Sequence, residues 1–204
     1  MAPGRPSLGE VVVKTIVTHT LTYFLVGLAA FWCFDYARKF AEPGVRSLMR
    51  QTDEPLVMAG PLFQPIRGLL FGLVFYLLRE PLFGARTGWL VLWLVLVVVG
   101  ILSTFGPAPG SVEGAVYTTL PLRFHLGSLP EIVVQSLALA ALLWYWVNNP
   151  GKRWLTWGLG VAFMAVLLLP TLGLLAGRAA GQVSQAAPPS YIRPRLRAGD
   201  PRRP

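Results

Sequence analysis

Five apolar runs, separated by shorter stretches rich in charged, Gly and Pro residues, set the pattern of this chain. Four of them are long enough to be helices in a bilayer, which takes about 20 residues of α-helix to cross, and the second run is the exception. The predicted spans are residues 11–34, 61–82, 87–105, 131–147 and 154–176. The pattern therefore predicts an all-α, polytopic helical membrane protein with about five transmembrane helices.

The second run is unusual, because its uncharged core, residues 68–78, is too short to cross a membrane. At about 1.5 Å per residue this core covers roughly 17 Å, against about 30 Å of hydrocarbon. Either Arg67 or the pair Arg79 and Glu80 then lies at membrane depth, or the segment does not cross. An ionisable side chain at that depth indicates a functional site by default.

Composition supports the membrane class. Of the 204 residues, 54% are hydrophobic and 13% are charged, and the charged share is about half that of an ordinary globular domain. We predict one membrane domain, residues 1–177, followed by a disordered, basic Pro/Arg-rich tail, residues 178–204. The first run could instead be a secretory signal. Its candidate cleavage site is poor, however, and the apolar run continues beyond that site.

The net charge of +9 is distributed as expected for membrane topology rather than for nucleic-acid binding. Six of the eighteen basic residues lie in the tail, and most others flank apolar runs. Such residues set topology and attract anionic lipid headgroups, and no nucleic-acid motif accompanies them. Because cytoplasmic loops are usually basic, five spans predict a cell-membrane protein with its N-terminus outside and its C-terminus in the cytoplasm.

Residues 105–130 form an unusual connection between the third and fourth predicted spans. Gly and Pro residues disfavour a helix at its start, whereas its apolar and aromatic residues argue against disorder. We predict a structured Gly/Pro-containing loop, either a cap or a re-entrant element, that lies against the bundle.

The first span carries a polar stripe. At about 100° per residue the stripe covers an arc of roughly 140°. Its members are Lys14, Thr15, Thr18, His19 and Thr22. Helix packing is the plainer interpretation, because threonine can bond backbone carbonyls in membrane helices. His19 is also a candidate for ligand binding or proton transfer, since an intramembrane histidine usually has a partner.

The fourth span carries a second polar face, which Pro130 is expected to open. Glu131 and Gln135 lie on it one turn apart, and the face continues to Tyr145. We expect it to point into the bundle, because a lipid-facing amide would lack hydrogen bonds. The second and fourth spans enter from one side, so Arg67 and Glu131 should lie at similar depth and form an ion pair.

Glu113 is the second choice as partner of Arg67, and Gln64 and His125 could complete a polar pocket on the same side. In the alternative, Pro65 opens the second span. Arg67 would then lie in its first turn and extend to the membrane interface.

The motifs of common enzyme classes are absent from the sequence, so no cofactor or metal is expected. The first-ranked function is a non-catalytic subunit or scaffold of a membrane complex, in contact with other membrane subunits or further copies of itself. The second is a small carrier or channel for a polar or anionic solute, built on an Arg67–carboxylate site; the lack of an inverted repeat weakens it. The third is an intramembrane lipid-acting enzyme with Glu131 or His125 as general base.

Overall fold

The computed structural model describes residues 6–186, with side chains described as far as residue 176. This part of the chain is built from helices and contains no strand. The helices are α1 Leu8–Cys33, α2 Tyr36–Ala41, α3 Pro43–Arg46, α4 Pro55–Met58, α5 Gly60–Leu77, α6 Arg79–Phe83, α7 Gly88–Leu94 with a π-helical continuation Val95–Leu102, α8 Val112–Tyr117, α9 Leu122–Asn148 and α10 Arg153–Ala186.

Four helices are long and apolar enough to cross a membrane, namely Leu8–Cys33, Gly60–Leu77, Leu122–Asn148 and the Arg153–Ala176 part of α10. The third predicted span corresponds to a shorter apolar helix, Gly88–Leu102, which is roughly 22 Å long at about 1.5 Å per residue. The all-α fold class is confirmed, with four candidate spans where about five were predicted. The architecture is compatible with a helical membrane protein.

α1 lies at the centre of the bundle, where it contacts α5, α9 and α10. We term the end where α1 begins side A and the end where it finishes side B. At side A, Lys14 Nζ donates to Trp146 O, near the end of α9, at 3.1 Å. Toward side B, Gly27 faces the carboxylate of Glu131. α1 and α9 are therefore antiparallel.

α5 packs closely against α1 in the opposite direction. A Cβ atom at Gly68 would lie 2.7 Å from Ile16 Cα, and one at Gly72 would lie 2.8 Å from Val12 Cα. Glycine is the residue that lets two helix backbones approach this closely. The Gly68-x-x-x-Gly72 spacing therefore forms the contact between the first two spans.

α7 runs antiparallel to α9. Trp93 Nε1 in α7 donates to Val133 O at 3.3 Å, and Trp144 Nε1 in α9 donates to Ala85 O at 3.1 Å. α10 follows the turn after α9 at side A and packs beside α1. Successive long helices thus cross the bundle in alternating directions.

The predicted start of α9 is wrong, and its predicted interior face is correct only in part. The helix begins at Leu122, so Pro130 lies inside it, because residues 122–129 are themselves helical and proline removes one backbone donor only. The predicted interior face is buried only in part: Glu131 and Gln135 are half-buried and line a cavity between the helices, whereas Tyr145 is exposed. Contacts with α1 and α7 bury a neighbouring face instead, formed by Ser136, Leu139, Ala140, Leu143, Trp146 and Val147.

The connection 105–130 is structured, as predicted: it contains α8 and the first two turns of α9. We term residues 105–121 the cap loop. At the other end of the chain, α10 continues to Ala186, so the backbone of residues 178–186, assigned above to the tail, is helical. The rest of the predicted tail, residues 187–204, lies outside the described residues.

Candidate functional site

Among the cavities formed by the described residues, two stand out, and the larger of these two brings together several of the predicted residues. It has a volume of about 490 Å³ and lies between α1, α5, α9 and the π-helical segment; we term it the Arg67 cavity. Most of its wall is apolar, and its polar lining includes His19, Tyr23, Arg67, Glu131, Gln135 and Ser136. A cavity of about 300–1,000 Å³ with apolar walls and a few polar groups is typical of a small-molecule site.

Arg67 lies in the second turn of α5 rather than in the first turn of a helix, and its side chain is exposed. α5 begins at Gly60, so Pro65 does not open it and the premise of the interface alternative is wrong. The neighbouring Gly68 packs on Ile16, in the first half of α1. The Arg67 guanidinium carbon lies 5.4 Å from the centre of the Phe71 ring.

The expected ion pair of Arg67 with Glu131 is absent. Within the described part of the chain, no carboxylate lies within ion-pair distance of Arg67. Glu131 faces Gly27, whereas Arg67 lies level with Ile16, and these two α1 positions are roughly 16 Å apart along the helix. Arg67 and Glu131 therefore line one cavity at different positions along the bundle axis, because α5 and α9 begin at different heights along that axis.

Glu131 has a different partner, the hydroxyl of Tyr36, which donates to Oε2. Tyr36 begins α2, directly after Asp35 turns the chain through a left-handed conformation with φ 47°. Burial, and then the hydrogen bond to Glu131, raise the pKa of Tyr36 above its ordinary value, so the hydroxyl keeps its proton and remains a donor. Sequence reasoning missed Tyr36, because it follows the apolar run and no periodic signal marks it.

His19 and Gln64 form a defined pair on facing helices. The Gln64 amide nitrogen donates to Gly60 O at 3.2 Å, which fixes the amide orientation. Gln64 Oε1 then accepts from His19 Nε2 at 3.1 Å, so Nε2 carries a proton. His19 Nδ1 is buried and has no hydrogen-bond partner among the described residues. Gln64 thus holds His19 rather than lining the cavity.

The rest of the α1 stripe has a packing role. Thr15, Thr18 and Thr22 donate to carbonyls one turn earlier, at 2.7 to 2.9 Å. Lys14 is buried and pairs with Glu10 at 2.6 Å. These side chains satisfy their own hydrogen bonds, as the plainer interpretation predicted.

His125 and Glu113 line neither of the two cavities. His125 is buried; its Nδ1 accepts from the Gly110 N–H at 3.1 Å, and its Nε2 lies 3.3 Å from Thr118 Oγ1. The ring therefore fastens the cap loop to α9. Glu113 lies in the first turn of α8 and forms no ion pair with Arg67. The polar pocket that the sequence predicted near Arg67 therefore contains neither residue.

A second cavity of about 380 Å³ lies at side B, between α2 and the start of α9; we term it the side-B cavity. Its charged lining residues are Lys39, Glu42, Arg123 and Glu131. Glu131 and Ser128 line both cavities, so the start of α9 forms their shared wall.

Among the described residues, no group of three or more His, Cys, Asp and Glu could hold a metal ion. Comparison with known proteins finds no matching family model, no matching curated protein and no matching solved structure. The geometry of the two cavities is therefore the basis for the function proposed below.

Proposed function

We propose that this chain binds, and as a carrier moves, a small ligand that combines an anionic group with an apolar part. The observation that supports the proposal is Arg67, a guanidinium without a carboxylate partner at the wall of a largely apolar cavity. A charge at membrane depth is costly unless it is paired. A ligand anion would supply the missing pair.

The chemistry of the lining defines the ligand class. A guanidinium presents paired N–H donors that match a carboxylate, sulfonate or phosphate. The apolar walls around it would cover a short hydrocarbon chain. The carrier predicted from the sequence used an ion pair between Arg67 and a carboxylate of the protein. In the function proposed here, the ligand supplies the anion instead.

Binding of octanesulfonate to the purified protein in detergent tests the proposal. This probe is permanently charged and carries a short apolar chain. We expect saturable binding that weakens at least tenfold in Arg67→Gln, because a hydrogen bond to a charged group contributes about 1.5–3 kcal/mol. Arg67→Lys should retain part of the affinity. The matched control is Arg46→Gln, an exposed cation outside both cavities.

The outcome is decisive in either direction. No saturable binding by the parent protein, or equal binding by Arg67→Gln, would overturn the proposal. Uptake of radiolabelled octanesulfonate into liposomes then separates a carrier, which gives Arg67-dependent flux, from a protein that only binds.

A subunit or scaffold, ranked first from the sequence, is the second candidate. It is supported by α10, because only 6% of an 18-residue apolar stretch of this helix is buried inside the chain. Gly158, Gly160 and Gly173 have nothing within 4 Å of an added Cβ, so this small-residue surface is free for another membrane subunit or a second copy. Co-purification of one membrane protein at fixed stoichiometry supports it, whereas a bare monomer in native nanodiscs speaks against it.

A lipid-acting enzyme has the least support, because His125 and Glu131 do not line a common cavity. For location, we propose the cell membrane, with the N-terminus outside and the C-terminus in the cytoplasm. The basic tail residues follow α10, which runs from side A to side B, so side B would be cytoplasmic.

A further inference from the structure

The side-B cavity lies at the expected level of lipid headgroups. It is bounded by α2, which begins directly after α1 ends, and by the first turns of α9. Trp32, in the last turn of α1, is 75% exposed, and tryptophan favours the membrane–water interface. The cavity is therefore placed where the headgroup of a lipid in the side-B leaflet can enter it.

Lys39 is the unpaired cation of this cavity. Its Nζ lies 4.8 Å from the centre of the Phe34 ring and 5.5 Å from that of Tyr36. In the described residues no carboxylate lies within ion-pair distance of it. The other cation, Arg123, already pairs with Glu42 at 3.3 Å. An ammonium held on aromatic rings above an open cavity is a suitable phosphate ligand.

Glu131 supplies the opposite charge. Tyr36 donates to its Oε2, whereas Oε1 makes no hydrogen bond with a described residue. Lys39 and Glu131 attract each other electrostatically but form no ion pair, so one cation and one anion line the same cavity. Phe40, Met49 and Phe124 provide apolar walls beside them.

We propose that the side-B cavity binds the headgroup of an aminophospholipid, with its phosphate at Lys39 and its ammonium group at Glu131. The balanced charges of the lining favour a zwitterionic headgroup over one that carries a phosphate alone. A volume of about 380 Å³ suits a headgroup and glycerol, and the acyl chains extend along the bundle surface into the bilayer. The proposal does not rest on ligand binding at Arg67, although Glu131 lines both cavities.

Native mass spectrometry of the delipidated full chain, titrated with dihexanoyl phosphatidylethanolamine and dihexanoyl phosphatidylglycerol, tests the site. We expect phosphatidylethanolamine to bind at least tenfold more tightly. Lys39→Ala should weaken its binding at least tenfold, whereas Lys39→Arg should retain it. The matched control is Arg38→Ala, because Arg38 is an exposed neighbour of equal charge outside the cavity.

Two further measurements identify the ligand. Glu131→Gln should remove the preference for phosphatidylethanolamine over phosphatidylglycerol. Inorganic phosphate, added as a competitor, should not displace the lipid; if it does so at equal concentration, the site binds phosphate rather than a lipid. Equal binding by Lys39→Ala and Arg38→Ala, or tighter binding of phosphatidylglycerol by the parent, would overturn the proposal.

Discussion

His125 uses both ring nitrogens to hold the cap loop, whereas His19 leaves Nδ1 without a partner among the described residues. Both histidines were candidate pocket residues, and only His19 lines a described cavity. Sequence position could not separate them, because the deciding partners are the Gly110 N–H and the Gln64 amide, which folding brings near. Residue type indicates which side chains need partners, and the tertiary contacts decide which ones keep a free polar atom.

Replacing His125 with Ala should loosen the cap loop. The substitution leaves the Gly110 N–H buried without an acceptor, which costs about 1–3 kcal/mol. Hydrogen exchange, followed by mass spectrometry, should therefore become faster across residues 108–118. Thr119→Ala, at an exposed position of the same loop, should leave exchange unchanged. Equal protection in His125→Ala and the parent would show that the histidine does not fasten the loop.

Between helices, two similar glycine spacings have different environments. Gly68 and Gly72 lie against the α1 backbone, whereas Gly173, the first residue of the sequence spacing Gly173-x-x-x-Gly177, has open space around it. The Gly-x-x-x-Gly pattern alone predicts neither outcome, because the contact depends on which face the partner helix covers. The same limit applies to α9, where contacts with α1 and α7 select a buried face beside the predicted polar one.

Gly72→Ala should destabilise the contact between α1 and α5. The added Cβ would lie 2.8 Å from Val12 Cα, and a backbone atom cannot move aside as a flexible side chain can. Overpacking of this kind costs about 1–3 kcal/mol, measurable as a lower midpoint of unfolding in detergent. Gly160→Ala in α10 is the control, because nothing lies within 4 Å of its Cβ position and alanine favours a helix. Comparable midpoints for the two variants would argue against close packing.

For the whole molecule, hydropathy predicted the fold class because lipid requires every backbone group to be bonded within the segment, which favours helices. The alternating directions of α1, α5, α7, α9 and α10 agree with the order of the apolar runs. The cavities could not be predicted in this way, since they depend on how far each helix is shifted along its neighbour. That shift places Glu131 nearer side B than Arg67 and leaves Arg67 without its expected partner.

The orientation of the bundle is open to direct measurement with single cysteines in a Cys33→Ser background. Ser47→Cys lies between α3 and α4 at side B, and Gly151→Cys lies in the turn between α9 and α10 at side A; both positions are exposed. If the basic tail keeps side B in the cytoplasm, a membrane-impermeant maleimide should label Gly151→Cys in intact spheroplasts and Ser47→Cys in inverted vesicles only. The reverse pattern would place side B outside. Labelling of both cysteines from one face would contradict the antiparallel path of the helices, which depends on contacts such as Lys14 with Trp146.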